Sequence, residues 1–365
     1  MTEVNKNNFC IIMAGGFGSR FWPMSKANNP KQFVDVMGTG ESMLQNTFHR
    51  FERICPRENI IIVTGQLYEE RVRQQIPGLK RYQVLTEPTR RNTAPCVAYA
   101  ASIINTLNPH ANIVVTPSDH AVFGEDAFVE NITQALQFVA QNPWIITIGA
   151  RPVNPNTKYG YIQFQESYPV PDAPNLHKVV TFTEKPPIEM AQQFIASGEF
   201  FWNAGIFVWS LPTLLQAYRN YLPAIANAFF ALTPDTPAVE LDRVYSLCES
   251  ISVDFGIMEK AANVYVMEAT FGWSDVETWD SLYGTCTKDD NGNAIVSGNV
   301  FAYEVKNCVV HVPSTKTVVL QGMEDYIVAG DEDTLLICRR DQEHRTFKFS
   351  SDVDLQQIMK VKSEK

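Results

Sequence analysis

The stretch FCIIMAGGFGSRFWPMSKANNPKQF, residues 9–33, decides how the rest of the chain is interpreted. It opens with five apolar residues, 9–13, a length that is typical of a strand buried on both faces. A turn of small residues follows, and Arg20 and Lys31 come after that turn. Because glycine has no Cβ, backbone N–H groups in such a turn can approach an anion closely. The pattern therefore predicts a phosphate site directly after the first strand.

The composition is that of an ordinary globular enzyme. The chain has 365 residues, of which 45% are hydrophobic and 19% are charged, enough for one large domain and a smaller one. A net charge of −10 argues against nucleic-acid binding, which needs a basic face. The seven cysteines form no C-x-x-C pair, and neither a signal peptide nor a membrane-spanning apolar run is visible. We therefore expect a cytoplasmic protein with no nucleic-acid or membrane partner.

Short apolar runs alternate with amphipathic stretches over the first 151 residues or so. This alternation predicts strands joined by helices, hence a parallel sheet with helices on both faces. The predicted strands are 9–13, 59–63, 82–85, 111–115, 144–148, 159–165, 179–182, 200–209 and 264–268. The predicted helices are 67–76, 94–107, 126–141, 188–197, 211–221, 224–250 with a loop near 233–237, and 276–282.

The character of the chain changes after Lys288. The run 289–293, DDNGN, is typical of a turn, and short β-type runs separated by Gly, Asn, Asp and Pro follow it as far as residue 349. We therefore predict two domains, a catalytic domain over residues 1–288 and a C-terminal β domain over residues 289–365.

Three predicted strands are followed by loops with unusual chemistry: AGGFGSR (14–20), TEPTRRNTAP (86–95) and TPSDHA (116–121). Ligands on parallel sheets bind at the carboxyl ends of the strands, where such loops lie. The glycine loop lacks the G-x-x-x-x-G-K-[ST] pattern of P-loop NTPases. Phe21 occupies the place of the third glycine in G-x-G-x-x-G, which makes a nicotinamide dehydrogenase improbable; NAD(P) binding would be its test.

Two acidic residues are candidates for a metal site. Asp119 follows the apolar strand 112–115, and Asp275 lies in the segment GWSD before a predicted helix. Mg²⁺ takes one or two carboxylates together with phosphate oxygens, which suits both residues. An isolated Asp in such a position is otherwise most often a helix N-cap.

Other residues have plausible partners in a nucleotide or a sugar. Glu87 can accept two hydrogens from a base edge that carries N1–H and an exocyclic amine, as guanine does. Asn203 lies inside a nearly all-apolar run, where a buried amide must find partners. Lys185 follows a predicted strand and could face a phosphate, although an exposed Glu184–Lys185 pair would be the default interpretation.

The string GGFGSRFWPMSKANNPKQF, residues 15–33, closely resembles the signature of sugar-1-phosphate nucleotidylyltransferases. Its FWPMS and PKQF segments are similar to those of mannose-1-phosphate guanylyltransferases. Six further motifs occur in the order known from that family, so the resemblance extends from residue 9 to about residue 280. They are EPTRRNTAP (87–95), TPSDH (116–120), GYI (160–162), FTEKP (182–186), FWNAGIFVW (201–209) and GWSDVETW (272–279).

The resemblance implies a fold and a reaction. The expected fold is α/β: a Rossmann-like nucleotidyltransferase domain with a mixed, mostly parallel sheet, followed by a small β domain similar to a short left-handed β-helix. The expected reaction transfers GMP from GTP to α-D-mannose 1-phosphate and gives GDP-mannose and pyrophosphate. Mg²⁺ or another divalent cation is the expected cofactor, and a homodimer is the expected assembly.

The resemblance also implies roles for individual residues. The expected catalytic residues are Arg20, Lys31, Asp119 and Lys185, with Lys31 at the α-phosphate and Lys185 at the sugar phosphate. The expected nucleotide-binding residues are Ala14, Gly15, Gly16, Gly18, Ser19, Arg20, Glu87, Arg91, Asn92, Thr93 and Ser118. The expected sugar-phosphate-binding residues are Gly160, Tyr161, Glu184, Lys185 and Asn203, and the expected metal ligands are Asp119 and Asp275.

Two alternatives to this reaction stay open at the level of the sequence. The first is a nucleotidylyltransferase for another sugar 1-phosphate or another base, such as glucose 1-phosphate with UTP or dTTP. The second is a non-catalytic relative that binds sugar nucleotides and regulates another protein. The joint presence of the cations and carboxylates that the reaction needs speaks against the second alternative; they are Arg20, Lys31, Asp119, Lys185 and Asp275.

Overall fold

The computed structural model describes residues 4–16, 20–165, 170 and 173–363, and these residues divide into two compact units. The first unit comprises Met1–Gly15, Thr47–Ser118 and Val122–Trp273. The second unit comprises Gly16–Asn46, Asp119–Ala121 and Ser274–Lys365. The glycine loop is thus divided after Gly15, and the segment around Asp119 groups with the C-terminal residues, whereas the predicted division at residue 288 follows the order of the chain. That domain boundary stays a prediction.

The part of the chain up to Ser274 contains eleven strands and eight α-helices among its described residues. The strands are β1 (Asn8–Met13), β2 (Ile60–Gly65), β3 (Val84–Glu87), β4 (Asn112–Pro117), β5 (Ala121–Phe123), β6 (Ile145–Ala150), β7 (Gly160–Gln165), β8 (Leu176–Glu184), β9 (Phe200–Ser210), β10 (Val264–Glu268) and β11 (Gly272–Ser274). The helices are α1 (Met43–Phe51), α2 (Glu69–Gln75), α3 (Thr93–Leu107), α4 (Glu125–Gln141), α5 (Ile188–Ser197), α6 (Leu211–Tyr221), α7 (Pro223–Phe229) and α8 (Ala238–Leu247). The nine predicted strands of this part are all present, whereas β5 and β11 were not predicted.

The first unit is built on a nine-stranded sheet with the order β3-β2-β1-β4-β9-β6-β10-β8-β7. Strands β1 to β4 are parallel to one another, as are β6 and β10. Strand β9 runs antiparallel to β4, β6 and β7, and β8 runs antiparallel to β7 and β10. The sheet is therefore mixed and mostly parallel, as expected: β8 and β9 run in one direction, and the other seven strands run in the opposite direction. The apolar run of β9 reports burial on both faces, and burial does not fix the direction of a strand.

Apolar side chains on one face of this sheet pack against α3, α6, α7 and α8. Trp209 of β9, Tyr218 of α6 and Phe229 of α7 are fully buried in this core. Burial of one such side chain contributes roughly 1.5–3 kcal/mol to folding. This core holds the strands whose carboxyl ends carry the predicted nucleotide residues.

The predicted helical region 224–250 is two helices, α7 and α8, separated by the loop that was expected near residues 233–237. After α8 the chain is irregular as far as Val253 and then forms a π-helical turn, Asp254–Met258. Neither the irregular segment nor the π-helical turn was predicted.

The second unit contains the C-terminal elements. They are α9 (Trp279–Thr285), β12 (Ala294–Ser297), β13 (Asn299–Tyr303), β14 (Val309–His311), β15 (Thr317–Gln321), β16 (Tyr326–Gly330), β17 (Leu335–Arg339) and α10 (Thr346–Ser363). Strands β12, β14 and β16 pair in parallel in one sheet, and β13 and β15 pair in parallel in another. The strands of the expected β domain are therefore present, and α10, which was not predicted, follows them; the extent of that domain to residue 365 stays a prediction. The sequence of α10 has only a weak helical separation of apolar and polar residues, so its periodicity did not predict a helix.

Aromatic residues from the signature stretch lie in the core of the second unit. Phe21 is fully buried and packs edge-to-face on Trp279 of α9, with 5.0 Å between the ring centroids. Trp22 is buried in the same cluster, with Ile327 of β16. The FW pair after the glycine loop therefore stabilises the fold. Among the described residues, none of the helices has both the length and the apolar character needed to cross a membrane.

Candidate active site

A buried carboxylate lies beside the glycine turn in the first unit. Glu87 is the last residue of β3 and is 6% exposed. A Cβ added to Gly15 would lie 3.3 Å from Glu87 Oε2, so the backbone of the turn and the carboxylate are close neighbours. The hydroxyl of Tyr245 donates a hydrogen bond to Glu87 Oε1 at 3.2 Å. The structure thus places two predicted nucleotide residues together.

Burial raises the pKa of Glu87 to about 7, against the opposing effects of the Tyr245 hydroxyl and the Arg90 guanidinium. The side chain is therefore close to half ionised at neutral pH and can gain or lose a proton when a ligand binds. Tyr245 was not found from the sequence. It lies in α8, 158 residues from Glu87, and no local pattern marks it.

The predicted nucleotide residues at the start of α3 have structural partners. Asn92 is the N-cap of the helix, and its side chain accepts from the N–H of Thr93 at 2.9 Å. The Thr93 hydroxyl accepts from the N–H of Val253 at 2.9 Å. The guanidinium of Arg91 donates to two carbonyl groups at the end of α8, at 2.8 and 3.2 Å. These contacts join the loop to α8 and to the segment that follows it, and nucleotide binding by the three residues stays a prediction.

The backbone of the turn itself is held by the neighbouring strands. Ala14 donates its N–H to a carbonyl of β2 at 2.7 Å, and Ser118 donates its N–H to Met13 at 3.1 Å. Both side chains are buried. Gly18 and Ser19, which were predicted to contact the nucleotide, lie outside the described residues.

Three of the predicted sugar-binding residues come together on adjacent strands of the first unit. Gly160 of β7 is directly opposite Glu184 of β8, and β7 also pairs with β9, which carries Asn203. A Cβ on Gly160 would lie 2.6 Å from Glu184 Oε2 and 3.4 Å from the Cβ of Asn203. Only glycine fits this position without displacing the carboxylate.

Lys185 forms an ion pair with its neighbour in the chain. Its Nζ lies 2.7 Å from Glu184 Oε1, and the two side chains are 63% and 50% exposed. An exposed pair of this kind contributes at most about 1 kcal/mol, so a phosphate group can replace the carboxylate at low cost. Lys185 has φ +47°, a conformation that is uncommon outside glycine and that fixes the direction in which the chain leaves β8.

Both polar atoms of the Asn203 amide have partners in the first unit. Its Oδ1 accepts from the Thr147 hydroxyl at 3.2 Å and from the N–H of Gly205 at 3.1 Å. Its Nδ2 donates to Asp254 Oδ1 at 2.7 Å. Burial raises the pKa of Asp254 above its ordinary value, partly offset by the hydrogen bond from Asn203, and the nearby Glu184 carboxylate adds to the increase. Asp254 was not found from the sequence.

Tyr161 belongs to a buried aromatic cluster. Its side chain is fully buried, its ring lies 5.4 Å from that of Phe194, and its hydroxyl donates to the carbonyl of Asn156 at 3.0 Å. The backbone of Tyr161, next to Gly160, is therefore the part of this residue that remains for contact with a sugar.

The second unit brings a buried lysine next to both predicted metal ligands. Lys31 is 4% exposed, and its Nζ lies 3.3 Å from Asp119 Oδ2 and 2.5 Å from the backbone carbonyl oxygen of Asp275. The Asp119 side chain remains 35% exposed. The three residues that were predicted from separate motifs thus form one cluster.

Asp119 is ionised at neutral pH. Burial alone would raise the pKa of this carboxyl, but the Lys31 ammonium and the charge of His120 outweigh burial and hold the pKa below its ordinary value. Over the described residues, no group of three or more His, Cys, Asp and Glu side chains forms a metal cluster of its own. Two carboxylates suit Mg²⁺, which completes its coordination with phosphate oxygens and water.

Two further residues of the second unit have partners in the same signature stretch or near Asp275. Gln32 donates its Nε2–H to the carbonyl of Gly16 at 3.0 Å. Arg20 is ion-paired with Glu277, and both side chains are exposed. Arg20 can contact a triphosphate only after it exchanges this partner, and its role at the nucleotide stays a prediction.

Comparisons with known proteins agree with the motifs. The family model described as "Nucleotidyl transferase" matches residues 9–292. The chain is 31% identical over 354 residues to a mannose-1-phosphate guanylyltransferase of Escherichia coli, covering 94% of this chain and 75% of that protein. It is 33% identical over 335 residues to a protein of the same name from Salmonella montevideo, covering 90% and 70% respectively.

A solved structure has the same fold over nearly the whole chain. It is the Thermus thermophilus protein solved as "mannose-1-phosphate geranyltransferase", with a TM-score of 0.84 and 28% sequence identity. The match covers 95% of this chain and 99% of that one.

Proposed function

This chain belongs to the nucleotidyl transferase family, and we propose that it transfers GMP from GTP to α-D-mannose 1-phosphate. The products are GDP-mannose and pyrophosphate. The observation that carries the proposal is the cluster in which the Lys31 ammonium contacts the Asp119 carboxylate and the Asp275 carbonyl. A reaction between two phosphate groups needs both a fixed cation and ionised carboxylates that can hold a metal.

The bond changes follow from the substrates. An oxygen of the sugar phosphate attacks the α-phosphorus of GTP, and the bond from that phosphorus to the pyrophosphate oxygen breaks. Both reactants are anions, so the work of the protein is to position them and to neutralise charge. The residues for which we propose this work are Lys31 at the α-phosphate, Arg20 and the glycine turn at the β- and γ-phosphates, and Lys185 at the sugar phosphate.

Asp119 and Asp275 are the residues that would hold Mg²⁺ or another divalent cation. The lowered pKa of Asp119 supports this role, because a ligand must be deprotonated to bind a hard cation at neutral pH. A bound divalent cation withdraws negative charge from phosphate oxygens and so makes phosphorus a better electrophile.

Recognition of the base and the sugar is proposed for the first unit. The Glu87 carboxylate would accept the N1–H and the exocyclic amine of guanine, beside the backbone of Gly15. The Glu184 carboxylate and the Asn203 amide would bind sugar hydroxyl groups next to Gly160. These contacts distinguish guanine from a base that presents an acceptor at N1, because that acceptor would face a carboxylate oxygen and the hydrogen bond at N1 would be lost.

A pyrophosphate-release assay tests the proposal. Each of GTP, ATP, UTP and dTTP is combined with mannose 1-phosphate, glucose 1-phosphate and galactose 1-phosphate in the presence of Mg²⁺. We expect the highest kcat/KM with GTP and mannose 1-phosphate. A higher value with another pair would assign a different base or sugar. Absence of release with every pair, together with binding of GDP-mannose, would mean that the chain is a non-catalytic sugar-nucleotide sensor.

We propose three further properties. Parallel pairing of alternate strands, β12 with β14 and β13 with β15, supports a short β-helix at the C-terminal end of the second unit. The exposed apolar side chains Phe301, Tyr303 and Val319 on β13 and β15 support a homodimer. The seven cysteines carry no disulfide, which supports a reducing, cytoplasmic location.

A further inference from the structure

Asp254 touches the predicted sugar pocket of the first unit although it lies outside every motif of the signature. It begins the π-helical turn Asp254–Met258, and its Oδ1 lies 2.7 Å from Nδ2 of Asn203. Turns of this kind are rare and occur often at functional sites.

The amide of Asn203 is held in one orientation. A backbone N–H can only donate, so the atom that lies 3.1 Å from the N–H of Gly205 is the amide oxygen. The hydroxyl of Thr147 donates to the same oxygen at 3.2 Å, which uses its second lone pair. Asp254 accepts from the nitrogen on the other side. The amide oxygen is therefore saturated, and the nitrogen is the atom that can serve a ligand.

One N–H of this amide remains for a ligand. The Asn203 nitrogen carries two hydrogens, and within the described part of the chain only the bond to Asp254 uses one of them. A Cβ on Gly160 would lie 3.8 Å from this nitrogen and 2.6 Å from Glu184 Oε2. The Asn203 nitrogen and the Glu184 carboxylate therefore both border the space beside Gly160, so a donor and an acceptor are available at the same place. That is the pattern that a pair of sugar hydroxyl groups requires.

Asp254 is itself anchored by the chain on both sides. The preceding residue, Val253, donates its N–H to the Thr93 hydroxyl at 2.9 Å, which ties the segment to the start of α3. The N–H of Gly256 donates to the carbonyl of Ser252 at 2.8 Å. The carboxyl therefore has a fixed position from which to hold the Asn203 amide.

We propose that Asp254 is a positioning residue for the sugar phosphate: it fixes the Asn203 amide so that one N–H is offered to a hydroxyl group of the hexose. The proposal rests on the proposed function, since it deepens the assignment of the same site. Asp254 acts through Asn203, so its loss weakens recognition of the sugar phosphate and leaves the handling of GTP unchanged.

Steady-state kinetics of Asp254→Ala and Asp254→Asn test the proposal. The alanine variant should raise KM for mannose 1-phosphate about tenfold, the scale of one charge-assisted hydrogen bond, with kcat and KM for GTP within about twofold of wild type. The asparagine variant should restore KM to within about threefold, because its carbonyl oxygen accepts from the same N–H. Asp242→Ala is the control, since Asp242 is an exposed carboxylate on α8, outside the proposed sugar pocket, and should have no effect.

An unchanged KM for mannose 1-phosphate in the alanine variant would overturn the proposal, as would an equal rise in both KM values. If the alanine variant does not unfold cooperatively, Thr147→Val replaces it in the same measurement. It removes one donor to the amide oxygen and should raise the same KM about threefold, and no rise would overturn the proposal.

Failure of the proposed function can be distinguished from failure of the proposal for Asp254, because the wild-type protein would then show no turnover. Calorimetric titration with mannose 1-phosphate would then compare wild type with the alanine variant, and equal affinities would overturn the proposal.

Discussion

Two acidic residues follow parallel strands of the same sheet, yet their surroundings shift their pKa values in opposite directions. Glu87 ends β3, and burial raises its pKa to about 7. Asp119 comes two residues after β4, and the Lys31 ammonium holds its pKa below the ordinary value in spite of burial. The difference lies in the partner: a neutral Tyr245 hydroxyl bonds to Glu87, whereas a cation contacts Asp119.

The opposite pKa shifts suit two different roles for a carboxyl group, metal binding and base recognition. A carboxyl that must hold a metal has to be ionised under all working conditions, which a lysine partner ensures. A carboxyl that reads a base can gain affinity from the ligand that ionises it, because each N–H of the base favours the charged form. In the proposed function, Asp119 would serve charge neutralisation and Glu87 would serve recognition of the base.

Removal of the charge of Asp119 should have the largest effect. We expect Asp119→Asn to lower kcat for pyrophosphate release by about 10³-fold, since a metal ligand and a fixed charge are lost together. The substitution is isosteric, so circular dichroism should show an unchanged fold. Asp126→Asn is the matched control because Asp126 is 95% exposed and lies outside the motifs. Wild-type kcat in Asp119→Asn would remove this residue from the metal site.

Substitution of Gly160 should give an intermediate effect that is confined to the sugar. A Cβ at this position lies 2.6 Å from Glu184 Oε2, so alanine displaces the carboxylate. We expect Gly160→Ala to raise KM for mannose 1-phosphate by about tenfold, the loss of one hydrogen bond to a charged group, with little change in KM for GTP. Gly284→Ala is the control, since no atom lies within 4 Å of an added Cβ there. Equal KM values for wild type and Gly160→Ala would show that Glu184 does not contact the sugar.

The pH dependence of GTP binding should show an effect no larger than that of Gly160→Ala. With a pKa of about 7, the ionised fraction of Glu87 rises about tenfold between pH 6 and pH 8, and GTP affinity should rise with it. The Glu87→Gln variant titrates no proton at this position and is the control that subtracts the ionisation of GTP itself. A parallel pH profile in the two proteins would show that Glu87 does not read the base.

The same carboxyl should also affect the stability of the protein. The pKa in the folded state lies above the ordinary value of 4.5, so the folded state binds the additional proton between these two values. The stabilisation is complete below pH 4.5 and is lost as pH rises through 7, by about 3 kcal/mol at most. Thermal unfolding of wild type should therefore show a loss of stability over this window that Glu87→Gln lacks.

The sequence predicted those features that depend on short, local patterns of residues. The strands at 264–268 and the helices at 188–197 and 211–221 were predicted with the observed bounds because apolar spacing reports burial. Gly160, Glu184 and Asn203 were each marked by a motif, and the structure brings them together. Lys31, Asp119 and Asp275 were likewise marked one by one and form one cluster.

The features that the sequence did not reveal depend on contacts over long distances in the chain. Tyr245 and Asp254 lie 158 and 51 residues from the side chains that they bond, and no spacing rule connects them. The antiparallel direction of β9 is set by its neighbours β4 and β6, because an apolar run has no direction. The division of the glycine loop between the two units is also a property of packing, as the burial of Phe21 on Trp279 shows.

In the proposed reaction, GMP moves from GTP to the sugar phosphate by attack at the α-phosphorus. The most direct measurement follows ³²P through the reaction of the wild-type protein with mannose 1-phosphate and Mg²⁺. With label at the α-position of GTP, we expect all of the transferred label in GDP-mannose; with label at the γ-position, we expect it in pyrophosphate. Label from the γ-position in a sugar product, or no labelled sugar nucleotide from α-labelled GTP, would contradict the account.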